Sequence, residues 1–119
     1  MAEDKRLICA GCELAEAGKG VRFSVERYGR NVPGFVIRYR GRVHAYLNEC
    51  AHVPVELDCQ HGEFFDHSKL YLICAVHGAL YAPDSGRCLG GRCQGRGLKS
   101  LSVIESDGNV FLVLENRNG

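Results

Sequence analysis

Apolar and polar positions alternate with a period of two along much of this chain. Val21, Phe23 and Val25 alternate with Arg22, Ser24 and Glu26, as in a strand with one face buried. Phe35, Ile37 and Tyr39 alternate with Val36, Arg38 and Arg40, and Val43, Ala45 and Leu47 form the return strand. The link between them, Tyr39-Arg40-Gly41-Arg42-Val43, reads as a tight hairpin with glycine free to take positive φ. Leu101–Glu105 and Asn109–Glu115 flank Ser106-Asp107-Gly108, a second hairpin signal. No stretch of about 11 residues or more carries a 3.6-residue apolar period, and residues 13–17 reach at most one helical turn. The chain is predicted to be all-β.

The middle, about residues 48–97, departs from this pattern. It is rich in Cys, His and Gly, with short β pieces expected at Lys69–Cys74 and around Leu80-Tyr81. With so little aliphatic surface, it is expected to be ordered by metal ligation instead of by a core.

Composition sharpens this picture. The 119 residues make one domain, 1–119, long enough to bury roughly 65% of the unfolded chain's surface. Lys and Arg number 15 against 14 Asp and Glu, which argues against a dedicated nucleic-acid or membrane-surface binder. The longest apolar runs, such as Val110–Leu114, fall far short of the ~20 residues of a membrane span. The charged start, Met1–Arg6, is followed by too short an apolar run for a secretory signal, so the expected compartment is the cytoplasm. There cysteines stay reduced and more often bind metal than cross-link. Seven cysteines and five histidines therefore point to metal.

Cys50-Ala-His52 and Cys74-Ala-Val-His77 carry that chemistry. Each pair follows a strand and each ends in an imidazole. Two thiolates and two imidazoles could hold a tetrahedral zinc or a two-iron cluster. A Cys-x-His unit is tight around one metal, whereas in a binuclear cluster each loop can send Cys to one iron and His to the other.

With Gly78, Tyr81 and Asp84-Ser85-Gly86-Arg87, these residues resemble the Rieske [2Fe–2S] family. Arg42–Cys50 is similar to the strand leading into the first Rieske loop, and Gly86–Leu98 to the glycine-rich loop that covers the cluster; the likeness runs from about Val21 to Leu114. It implies a β-sandwich base with a small cluster-binding subdomain at its tip. Cys50 and Cys74 would bind the inner iron. His52 and His77 would bind the outer one, where neutral imidazoles localise the added electron.

The sequence departs from the family pattern in places. The segment between His52 and Cys74, residues 53–73, is longer than usual and predicts an enlarged loop around Glu56–Ser68, a possible docking feature. Arg92 stands where the covering loop commonly has proline. Val55 and Val76 occupy the positions where high-potential members place a disulfide. Ala79 follows Gly78 where those members place a serine whose hydroxyl bonds a bridging sulfide, so a potential near the low end of the family is implied. A rival unit, Cys59-Gln-His61, lies 12 residues before Cys74. It lacks the preceding strand that favours Cys50 and His52, and Cys59 is read as an ordinary thiol.

Cys9-Ala-Gly-Cys12 has zinc or redox spacing, and Cys88 and Cys93 could complete a four-thiolate set; the favoured reading is that all four are packing or surface residues. His44 and His67 are read as solvated. So are Arg22, Arg27, Arg30, Arg38, Arg40 and Arg42, on a sheet face that could also dock an acidic partner. The resemblance implies a one-electron carrier without chemistry of its own on an organic substrate. It would take electrons from a flavin-dependent reductase and deliver them to a terminal oxygenase or other redox enzyme. The 2-His-1-carboxylate iron domain of an oxygenase has no room in these residues. The alternatives are an accessory subunit of a larger reductase, of the nitrite reductase small-subunit type, and a structural zinc module.

Overall fold

The computed structural model describes residues 4–27, 29–49, 55–58, 62–75, 78–91 and 96–114. Ten strands run in order: β1 (Asp4–Ala10), β2 (Val21–Arg27), β3 (Arg30–Tyr39), β4 (Arg42–Leu47), β5 (Leu72–Ile73), β6 (Leu80–Tyr81), β7 (Cys88–Gly90), β8 (Ser100–Leu101), β9 (Val103–Ser106) and β10 (Asn109–Leu114). A single 3-10 turn, Gly11–Glu13, is the only helical element among the described residues. No helix there is long and apolar enough to cross a membrane.

The strands form three sheets, β2-β3-β4-β8, β1-β10-β9 and β5-β6-β7. The four-stranded sheet is the middle layer. Its strand β3 is buried on both faces across Gly34–Ile37, so the expected half-buried alternation gives way there. Val36 and Ala45 pack with Cys9, Leu14 and Val110 against the first and last strands. Phe35, Ile37 and Tyr46, on the opposite face, pack with Leu57, Phe64, Leu72, Cys74, Ala79 and Tyr81. The middle segment thus has a core after all. Leu57 and Phe64, both wholly buried, come from the enlarged loop, and the Phe64 ring stacks on Phe35 at 3.9 Å.

Both predicted hairpins form. Arg40 and Gly41 take φ of 53° and 78°, and Asp107 and Gly108 take 52° and 79°, two consecutive left-handed residues that match the strand twist. The expected strand 101–105 divides at Ser102: β8 pairs with β4 in the middle sheet and β9 with β10 in the outer one. Strand β1 was not predicted. It shows no period of two, and its pairing with β10 shifts register between Leu7 and Cys9.

Arg38 and Arg22 are not solvated. The Arg38 side chain, 16% exposed, donates to Leu14 O and Gly11 O and grips both carboxylate oxygens of Glu105 at 2.7 and 2.8 Å. Its guanidinium holds the Glu105 carboxyl below the usual carboxylate range, and the pair ties β3 to β9 across the sandwich. Arg22 pairs with Glu56 and Asp58. Sequence neighbours hide these acids, which arrive from other elements. His44 is half-buried, and burial, with Arg42 adding to it, pushes its imidazole down. His67 is exposed as expected; Arg27's side chain lies outside the description.

Candidate metal centre

The first ligand loop leaves the end of β4. Leu47 N donates to Lys99 O and Asn48 N to Pro33 O, both at 2.9 Å, which fixes the chain two residues before Cys50. Asn48 is 1% exposed. Cys50 and His52 themselves lie outside the described residues, as do His77 and the rival pair Cys59 and His61.

The second loop joins β5 to β6. Cys74, wholly buried, keeps its thiol at the base of a closed turn. Cys74 N donates to Ala79 O at 2.9 Å, and Gly78 N donates to Cys74 O at 2.7 Å. Gly78 takes φ of 74°, a left-handed conformation that is cheap only for glycine. Ala75 and Gly78, which flank residues 76 and 77, are exposed. A buried thiol beside these exposed flanks suits a donor set with Cys inside.

The two loops are tied together. Ala75 N donates to Leu57 O at 2.9 Å, and Leu57 N donates to the Asn48 side-chain oxygen at 2.8 Å. One hydrogen-bonded chain therefore runs from just before Cys50 to just after Cys74.

A third segment lies over the second loop. A Cβ on Gly91, at φ of 93°, would meet Ala79 Cα at 2.8 Å, so only glycine allows this approach. The segment returns where Arg87 bridges Gly97 and Leu98 N donates to Gly86 O at 2.8 Å. Beneath it, the Tyr46 hydroxyl donates to Pro83 O at 2.8 Å. Residues 92–95, Arg92 and Cys93 among them, are not described.

A profile of the Rieske [2Fe–2S] domain matches residues 5–110. The chain belongs to the Rieske [2Fe–2S] family. A Rieske domain binds a [2Fe–2S] cluster through two Cys and two His, and the surroundings of Cys74 fit that group. They supply a water-excluded thiol, a glycine-shaped turn and a covering segment.

Solved structures agree on the fold. The ferredoxin of Sphingomonas yanoikuyae B1 superposes with a TM-score of 0.71 at 20% identity, over 94% of this chain and 100% of that one. The ferredoxin of carbazole 1,9a-dioxygenase from Nocardioides aromaticivorans IC177 gives 0.70 at 16% identity, over 93% and 98%. The terminal oxygenase of carbazole 1,9a-dioxygenase from Novosphingobium sp. KA1 gives 0.67 at 26% identity, over 96% of this chain and 30% of that one. No curated protein matches the sequence.

Among the described residues, no group of Cys, His, Asp or Glu forms a further metal site. Cys9 is buried, and that burial, helped by Glu13, pushes its thiol up to about 11, too high for a ready ligand or nucleophile. Cys12 is exposed. Cys88 is disulfide-bonded, which takes it out of the four-thiolate set. That cross-link departs from the expectation that all cysteines stay reduced.

Proposed function

We propose that this chain is a one-electron carrier of the Rieske ferredoxin type, acting between a flavin-dependent reductase and a terminal oxygenase or similar redox enzyme in the cytoplasm. Cys50 and Cys74 hold the inner iron; His52 and His77 hold the outer one. When bound, the cluster supplies a single reversible electron step. The chain's residues exclude water around Cys74, fix the two loops relative to each other and leave Ala75 and Gly78 open to solvent.

The observation that carries this reading is a wholly buried Cys74 beside an exposed Ala75 that is hydrogen-bonded through Leu57 to the base of the first loop. The chain covers 100% and 98% of two ferredoxins, which supports a carrier. Anaerobic titration with dithionite tests it. Bleaching should be complete at one electron per chain, and the reduced protein should be reoxidised by a Rieske oxygenase. Two-electron uptake, or reduced protein that no Rieske oxygenase reoxidises, would refute the carrier role.

A further inference from the structure

The segment 53–73 brings a buried charge to the ligand loops. Asp58, 4% exposed, accepts from the Asn48 amide at 2.9 Å through one oxygen and from Gly62 N at 3.0 Å through the other. Arg22 Nε, buried and without a hydrogen-bond partner, stands 3.5 Å from that second oxygen. The Asn48 amide thus spends its oxygen on Leu57 N and its nitrogen on Asp58, while Leu57 O holds Ala75 N. A carboxylate out of water is tolerable only when it is hydrogen-bonded and charge-compensated. Asp58 is both, and its bonds lock a side chain two residues from Cys50 and a backbone one residue from Cys74.

From this geometry we infer that Asn48 and Asp58 form a polar clamp. It holds the two ligand loops at fixed separation where Val55 and Val76 preclude a disulfide, and the Asp58–Arg22 pair sets the charge behind the cluster. The inference rests on Cys50, His52, Cys74 and His77 being the ligands. Asn48 and Asp58 are positioning residues that act through Leu57 and Ala75, without contact to the metal. The extra length of 53–73 is the source of the clamp, since it delivers both Leu57 and Asp58.

A buried negative charge disfavours adding an electron nearby, and a buried positive one favours it. Removing each charge in turn therefore has opposite effects, which loss of packing alone would not produce. Asp58→Asn should raise the midpoint potential and Arg22→Met should lower it, each by about threefold in the reduction equilibrium, or ~28 mV. Glu63→Gln removes the same charge from an exposed position in the same segment, where Glu63 is only 3.9 Å from a solvated Lys19, and should leave the midpoint in place. Asn48→Ala should speed amide exchange at Leu57 and Ala75 at least tenfold and shorten the cluster's lifetime in chelator. Midpoints that move together or not at all, or an unchanged Ala75 amide, overturn the clamp while leaving a red-brown wild type as a Rieske protein. A wild type without a cluster overturns both. If Asn48→Ala does not fold, the Asp58, Arg22 and Glu63 comparison still decides the matter.

Discussion

Cys74→Ser is expected to abolish normal cluster assembly. The Cys74 side chain sits in a core of Phe35, Leu72, Ala79 and Tyr81, at the closed end of a turn that hydrogen bonds leave little room to adjust. A hydroxyl there is a poor ligand for iron that prefers thiolate, and it becomes a polar group with no water to satisfy it. Cys50→Ser, His52→Ala and His77→Ala should have the same outcome, because an iron left with one protein ligand would be open to solvent. Cys59→Ser and His61→Ala should leave the visible spectrum nearly unchanged. Iron per chain and the visible spectrum of the variants decide between the two pairs; assembly lost with Cys59 but kept without Cys50 would make the 12-residue spacing the true one.

The midpoint potential is expected near −150 mV, at the low end of the Rieske range, and not near +300 mV. Hydrogen bonds to the sulfurs raise the potential by stabilising the extra negative charge of the reduced form. Ala79 offers no side-chain donor, where high-potential relatives place serine. It is wholly buried, with its carbonyl taken by Cys74 N and Gly91 against its Cα. A hydrogen bond to a charged group contributes ~1.5–3 kcal/mol, and a tenfold change for one electron is ~59 mV, so the missing hydroxyl lowers the potential by roughly 65–130 mV. Ala79→Ser should recover tens of millivolts of this. Protein-film voltammetry on both forms measures it. A wild-type value above about +100 mV, or no response to Ala79→Ser, would assign control of the potential to other contacts.

Much of this molecule can be read from its residues, for identifiable reasons. Hairpins are local, so Arg40-Gly41 and Asp107-Gly108 announce them. The Cys/His spacing is legible because metal chemistry tolerates few residue types. Interactions between distant parts of the chain are not legible. Strand β1 owes its existence to β10, about a hundred residues away, and its own pattern is silent. Glu105 finds Arg38 across 67 positions. Leu57 and Phe64 stand among polar loop residues, and only the fold shows them filling the core above Phe35. Asn48 and Asp58 look like ordinary turn residues until their side chains meet.

The reduced-state electron paramagnetic resonance spectrum of the purified protein, taken with its metal content, tests the assignment most directly. Two irons per chain, a red-brown colour and the signal of a binuclear centre with mixed His and Cys ligation are expected. Colourless protein holding one zinc per chain would contradict it.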